Sequence, residues 1–233
     1  MGDRGDDGPE RREAATARRV YRSALRARQA RETHEQIVVA AEQLFAAQGY
    51  AATSLAQIAQ LAEVSVESVA AHGPKRSLLL AALDLALGPA GSEGVDAVAE
   101  ACRRPDPDVA VEALAELVLA RHARSSGMWR ALAAAAPGDP ELTAVHQEVT
   151  SRRRATSRTV VHELAERGLL REDRSPEELA DVASLLAGPE SYQLLVRELG
   201  WSDQQHRAWY VDSMRRLVLR QHGTDGPRPR GFG

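Results

Sequence analysis

The chain has 233 residues, of which 43% are hydrophobic, 27% are charged and only 4% are aromatic, and its formal net charge is −3. This composition is typical of a globular protein with a core of leucine, valine and alanine, and it argues against collagen-like, fibrous and fully disordered chains. No apolar run approaches the roughly 18 residues of a membrane span, so we expect no membrane partner. The polar start lacks the apolar region of a secretory signal. The single cysteine, Cys102, argues against a disulfide framework and indicates a reducing compartment, most simply the cytoplasm.

Helix signals fill the chain, and no run of alternating β-branched residues predicts a strand, so we predict an all-α fold. Capping boxes mark helix starts at Thr33, Ser54, Ser175 and Ser202, and Asp-Pro pairs mark two more at Asp106 and Asp139. Glycines and Gly-Pro pairs mark the ends. The predicted helices are 34–48, 55–62, 66–72, 75–87, 94–103, 107–124, 127–136, 140–167, 176–199 and 203–221.

Charge is distributed unevenly along the chain. Residues 11–82 carry ten Lys or Arg against six Asp or Glu, whereas residues 83–233 carry 19 against 23. Within the first part, residues 11–31 hold eight arginines and one acid, Glu13. We therefore expect residues 1–32 to be a basic, flexible arm that neutralises phosphates, the alternative being a helical extension that is merely solvated. Residues 222–233, rich in glycine, proline and charge, are predicted to be a disordered tail.

Residues 33–82 contain the most informative pattern. Two short predicted helices, 55–62 and 66–72, are separated by only a few residues. A helix-turn-helix needs this spacing, because its first helix braces the second in the major groove of DNA. A plain helical hairpin is the alternative, since small bundles contain the same corner.

The residues of this segment resemble the N-terminal domain of the tetracycline-repressor (TetR) family. The resemblance rests on the run from Ile37 to Tyr50 with its phenylalanine and Gly-Tyr end, on Thr53-Ser54, on Ile58-Ala59, and on Leu78-Leu79-Leu80. It implies a DNA-binding domain at 33–82 and an effector-binding and dimerisation domain at 83–221. It also implies the function of a homodimeric transcriptional regulator, a repressor that a small-molecule effector releases from double-stranded DNA.

Four positions depart from the residues usual in that family. Glu63 stands where the turn usually has glycine, Ala70 where a tyrosine is common, Gly73 where an aromatic residue fills the core, and Arg76 where a lysine is common. A glutamate in the turn costs about 1 kcal/mol if its φ is positive. These departures leave an alternative open, a TetR-like dimer that has weakened or lost specific DNA binding and acts as a ligand- or protein-binding module.

On a recognition helix that starts at Ser65, Val69 points inward and its neighbours project outward. Glu67 can accept a hydrogen bond from a cytosine amino group, although a solvated acid favoured by the helix dipole is an equally good interpretation. His72 can contact a phosphate or satisfy a carbonyl at the helix end. The predicted DNA-binding residues are Ser54, Ser65, Val66, Glu67, Ser68, Ala70, Ala71, His72, Lys75 and Arg76.

The resemblance also implies a small-molecule pocket among helices 94–167 and a dimer interface on the last two helices. Bulky, soft or polarisable residues in an alanine-rich background are candidate lining for a small apolar or amphipathic effector, with ordinary core packing as the alternative. The candidate lining is Leu119, His122, Met128, Trp129, Leu132, His146 and Val149. The candidate interface is Leu179, Val182, Leu186, Tyr192, Leu195, Trp209, Met214 and Leu217, for which intramolecular core is again the alternative.

An enzyme is disfavoured by the motifs. The chain has no HExxH, no GxSxG, no glycine-rich phosphate loop and no paired metal-ligand spacing, and its seven histidines are scattered. We therefore predict no catalytic residue, no metal and no cofactor.

Overall fold

The computed structural model describes residues 9–87 and 92–220, and it confirms the predicted all-α fold. In these ranges the only extended pairing is an isolated bridge between Leu170 and Leu219. The helices are α1 (Pro9–Ala52), α2 (Leu55–Leu61), α3 (Val66–Ala71), α4 (Lys75–Leu87), α5 (Ser92–Cys102), α6 (Pro107–Ala135), α7 (Pro140–Glu166), α8 (Pro176–Leu186), α9 (Pro189–Tyr192) and α10 (Asp203–Leu217), with a 3₁₀ turn at Ala136–Gly138 and a π-helical turn at Gln193–Glu198.

Local capping explains most helix starts. The Ser54 side chain accepts a hydrogen bond from the Gln57 amide, and the Gln57 side chain accepts one from the Ser54 amide at 2.8 Å. The same reciprocal pair forms at Ser175 and at Ser202, and the two aspartates before prolines cap α6 and α7. Five of the six predicted helix starts are therefore confirmed.

The start predicted at Thr33 is wrong, because α1 begins at Pro9 and runs through it. The expectation of a flexible arm is corrected from Pro9 onward, since the backbone there is helical. Residues 10–48 contain neither glycine nor proline and are rich in alanine and arginine, which favour helices. Residues 1–8 and the predicted tail at 222–233 lie outside the described residues.

Two further boundaries differ from prediction. The helices predicted at 107–124 and 127–136 are one helix, α6, that continues through Gly127. A Cβ at Gly127 would come within 2.8 Å of the Ala46 Cβ, so this glycine allows α6 to approach α1 closely. The helix predicted at 176–199 breaks at Gly188, because Pro189 has no amide hydrogen to continue the α8 ladder.

The buried apolar residues form two cores. The first core lies among α1–α4 and also includes Met128 and Leu132 from the end of α6 and Leu142 from the start of α7. The second core joins α5, α6, α7, α8 and α10. The predicted boundary at residue 82 falls inside α4. The first core therefore continues from the helix-turn-helix, through α1 and α4, to the end of α6 and the start of α7.

Candidate functional site

The turn between α2 and α3 has a tightly defined backbone. Glu63 has φ +56°, and among residues 9–87 and 92–220 no other non-glycine residue has a positive φ. Its amide donates to the Gln60 carbonyl at 3.3 Å, and the Val64 amide donates to the Ala59 carbonyl at 3.0 Å. The Ser65 hydroxyl then caps α3 by accepting from the Ser68 amide at 3.1 Å. These local contacts define the short turn between two short helices that a helix-turn-helix requires.

One face of α3 is packed and the other is exposed. Val69 is fully buried in the first core, as predicted. Of the remaining side chains of α3, Ser68 is half-buried and the others are exposed. Ser54, just before α2, is exposed as well. The outward set is Ser65, Val66, Glu67, Ala70 and Ala71. The face predicted to read DNA is therefore open, and its individual base contacts stay predictions.

Two side chains of α3 have local partners. Hydrogen bonds from its own backbone amide and from the Ser65 hydroxyl lower the pKa of Glu67, so this group is a carboxylate at the helix start. His72 has Nδ1 2.7 Å from the Ser68 carbonyl, and its ring stacks on His34 of α1 with centroids 5.2 Å apart. These contacts support the solvated-acid and helix-end interpretations of the two residues.

Two cations at the start of α4 are engaged within the protein. The Lys75 ammonium donates to the carbonyls of Tyr50 and Thr53 at 2.7 and 2.8 Å and lies 4.3 Å from the Tyr50 ring centroid. Burial lowers the pKa of Lys75. Arg76 forms ion pairs with Asp139 and Glu141, at 3.3 and 2.8 Å. Both cations are held in this way because α4 begins against the end of α1 and the start of α7. Their DNA contacts stay predictions.

The predicted pocket residues divide into two groups. Met128 and Leu132 are buried in the first core, where α6 packs on α1 and α4, which favours the alternative of ordinary core packing. Trp129 stacks on His146 with ring centroids 4.7 Å apart, between α6 and α7. His122 is buried two turns earlier on α6. The last two, Leu119 and Val149, are half-buried.

A cluster of polar side chains lies beside His122, and we name it the central cluster: Arg121, His122, Arg153, Tyr192 and His206. The rings of His122 and Tyr192 stack at 4.7 Å, and the His206 ring meets both edge-on, at 5.8 and 5.1 Å. The Arg153 guanidinium lies 5.1 Å from the Trp129 ring centroid. Sequence reasoning missed the two arginines and His206, because in an arginine-rich chain a single arginine carries no signal. The position of His122 seven residues before Trp129, on one helix face, is the signal that could have located the cluster.

The predicted dimer interface is also divided. Four residues are buried inside their own protomer, which favours the alternative of intramolecular core for them: Leu179, Leu186, Tyr192 and Met214. Val182, Leu195 and Trp209 are half-buried, and Leu217 is exposed. The break after α8 leaves a different set of leucines outside, among them Leu185 at 64% exposure and Leu199 at 61%, together with Leu194.

Within the described ranges, no helix has the length and apolarity needed to cross a bilayer. The same residues contain no group of three or more histidine, cysteine or acidic side chains placed to hold a metal ion.

Residues 37–83 match the family model of the bacterial regulatory proteins of the tetR family. A comparison with curated proteins finds no match. Among solved structures, the fold is similar to that of a transcriptional regulator from Saccharomonospora viridis in complex with choline, with 22% identity, a TM-score of 0.66, and coverage of 82% of this chain and 99% of that one.

Two other solved structures share this fold. A TetR-family regulator from Mesorhizobium loti has 20% identity and a TM-score of 0.61 over 82% of this chain and 98% of its own. SmeT, the repressor of a Stenotrophomonas maltophilia multidrug efflux pump, solved with triclosan, has 17% identity and a TM-score of 0.62 over 85% of this chain and 100% of its own. At these identities the structures establish the fold.

Proposed function

We propose that the chain, whose residues 37–83 match the model of the tetR family of bacterial regulatory proteins, is a homodimeric transcriptional repressor that a small-molecule effector releases from its operator. The observation that carries the proposal is the open face of α3. Ser65 caps this helix and buried Val69 anchors it, while Val66, Ala70 and Ala71 face outward without a partner helix. A short helix held this way can enter a major groove.

Dimerisation supports this function, because two recognition helices about 34 Å apart meet one face of the duplex. We propose that the exposed leucines Leu185, Leu194 and Leu199 form the interface with half-buried Val182 and exposed Leu217. Exposed apolar side chains grouped on neighbouring elements are typical of subunit contacts. Leu185→Glu is expected to produce a monomer in sedimentation, whereas Leu87→Glu, an exposed leucine at the end of α4, leaves the dimer intact. A dimeric Leu185→Glu protein would contradict this interface.

The start of α1 supports an additional contact with the phosphates. The stacking of His34 on His72 puts the helix beside the end of α3, and the arginine-rich stretch 11–31 precedes this point on the same helix. Because each neutralised phosphate steepens the salt dependence of binding, removal of residues 1–27 is expected to weaken DNA binding and flatten that dependence. An unchanged salt slope would exclude a role for this segment.

Effector release needs a mechanical link between the domains, and the packing provides one. Arg130 of α6 donates to the Ala46 carbonyl of α1 at 2.8 Å, and Arg76 of α4 pairs with the start of α7. A ligand that shifts α6 relative to α7 therefore moves both α1 and α4, and with them α3. The proteins of this fold that bind choline and triclosan support a small-molecule effector here.

The test is a footprint on the DNA that flanks the coding region. We expect the wild-type protein to protect a defined site and Ala70→Glu to lose that protection, because a carboxylate on the outward face of α3 repels phosphates. Ala144→Glu, an exposed alanine on α7, is the matched control and should protect the site fully. Sequence-blind binding by the wild type would instead favour a TetR-like module that has lost specific DNA binding.

A further inference from the structure

Two arginines of the central cluster are poorly compensated. Arg121 Nη2 donates to the Ala187 carbonyl at 2.6 Å, and no ion pair between it and a carboxylate occurs in the described part of the chain. The Arg153 side chain is only 15% exposed, and its Nε and Nη1 are buried without a hydrogen-bond partner. Its Nη2 reaches Glu190 at 3.1 Å, but that carboxylate is 52% exposed. Arg121 has no counter-charge in the described part of the chain and Arg153 has only a half-exposed one, and a poorly compensated cation inside a protein is costly, so this part of the interior favours an anion.

The electrostatics of the arginines agree with this geometry. Burial, and then the charge of Arg153, lower the pKa of Arg121, while the Tyr210 hydroxyl acts in the opposite direction. The two guanidinium groups therefore repel one another across the cluster, and Glu190 is shared with solvent. A single bound carboxylate would relieve the repulsion and supply acceptors for the free N–H groups.

The two histidines add unused hydrogen-bonding groups. His122 and His206 are each 1% exposed, and Nε2 of each is buried without a partner. Burial, followed by the charge of Arg121, lowers the pKa of His122 to about 3, so its ring is neutral. A neutral imidazole has one N–H donor and one acceptor nitrogen. Buried polar atoms in native proteins are nearly always paired, so these atoms are available to a ligand that brings polar groups of its own.

The walls of the cluster are aromatic. Tyr192 stacks on His122, and Trp129 stacks on His146 beneath the Arg153 guanidinium. Flat faces on two sides favour a planar ring over a flexible chain. Because the rings are in contact, a ligand enters only if one of them moves. Tyr192 directly precedes the π-helical turn 193–198, an element that departs from the regular ladder and is often found at functional sites.

We propose that the central cluster is a binding site for a small aromatic carboxylic acid, its carboxylate held by Arg121 and Arg153 and its ring stacked beside Tyr192 and Trp129. This proposal rests on the proposed function only where it identifies the central cluster as the effector-binding site. Tyr192 Oη donates to Asp203 at 2.7 Å, so displacement of the tyrosine by the ligand loosens the start of α10 from the cluster.

The test compares ligands of equal shape and different charge. Benzoate, 4-hydroxybenzoate and 1-naphthoate are titrated into the DNA-free protein by calorimetry, each beside its neutral amide, with benzylamine as the cation. We expect at least one acid to bind at millimolar or lower concentration and to raise the Tm, with its amide binding about tenfold or more weakly. Equal affinity for acid and amide, preference for benzylamine, or no binding of any of the three acids would overturn the proposal.

Variants on one helix locate the site. Arg153→Met is expected to lower the affinity for the acid about tenfold or more, whereas Arg154→Met, its exposed neighbour on α7, leaves it unchanged. Arg153→Lys keeps the cation and is expected to retain part of the affinity, which guards against a merely structural loss. Equal effects of the Arg153→Met and Arg154→Met changes would overturn the assignment. Because binding is measured without DNA, acid binding by a protein that protects no operator would refute the repressor and leave the anion site standing.

Discussion

Replacing Glu63 by glycine tests the conformation of the turn between α2 and α3. The backbone of Glu63 has φ +56°, a left-handed conformation that places a Cβ close to the following carbonyl. Its side chain is exposed and takes part in none of the hydrogen bonds or ion pairs found in the described ranges, so its removal sacrifices no contact. Glycine adopts this conformation without steric cost.

The magnitude follows from two opposing terms. A non-glycine residue in the left-handed region costs about 1–2 kcal/mol. Glycine loses more conformational entropy on folding than glutamate does, which offsets roughly 0.5–1 kcal/mol of this gain in the free energy of unfolding. We therefore expect Glu63→Gly to raise the free energy of unfolding by about 0.5–1 kcal/mol and the Tm by about 2–3 °C for a chain of this size.

The assay is urea unfolding followed by circular dichroism at one fixed protein concentration, because a dimer makes stability depend on concentration. The control is Gln60→Gly. Gln60 is exposed and lies three residues earlier inside α2, where the backbone is helical, so glycine there should lower the free energy of unfolding by about 1 kcal/mol. If the glycine at 63 also destabilises the protein, the reasoning from φ is refuted.

Acidification tests the imidazole of His122, because burial lowers its pKa to about 3. Near pH 6.5 the unfolded chain takes up a proton on this imidazole and the folded chain does not. The contribution of His122 to the free energy of unfolding is therefore complete above pH 6.5 and is lost as the pH falls toward 3. His122→Phe should flatten that decline in urea unfolding across this range, and an unaltered decline would count against it. Gly127→Ala places a Cβ 2.8 Å from that of Ala46 and should lower the free energy of unfolding by about 1–3 kcal/mol. The control Gly94→Ala, in open space on α5, should raise the free energy of unfolding by up to about 1 kcal/mol. Denaturation curves of the two variants that shift in the same direction would contradict the packing argument. Arg76→Gln removes the ion pairs between α4 and α7, so in gel shifts we expect a weakened effector response relative to the operator affinity of the same variant. A normal response would rule out this link.

Much of the recognition region could be predicted because its signals are local. The capping box at Ser54, the cap at Ser65 and the apolar position of Val69 each act over about four residues, and the structure places all three as expected. The candidate ligand site could be predicted only in part. His122 and Trp129 stand out on one face of a helix, whereas Arg153 becomes informative only when its unpaired nitrogens are seen inside the fold.

The interface prediction shows the limit of periodicity. An apolar stripe identifies which residues of a helix avoid water, but Leu179 and Leu185 both belong to α8, and only the packing of α8 on α7 and α10 decides that the first is buried and the second exposed. The same holds for the broken helix after α8, since the turn at Gly188 rotates the leucines that follow it.

By itself, the sequence determined the all-α class, most of the helix starts and the helix-turn-helix of this protein, because propensities and caps operate between neighbours in the chain. Tertiary structure alone decided what each charged or apolar side chain meets. Lys75 binds carbonyls of residues 50 and 53, more than twenty positions away, and Gly127 allows α6 to approach Ala46 of α1, which is distant in the sequence. Such contacts depend on the paths of distant segments, and no pattern within a few residues can encode them.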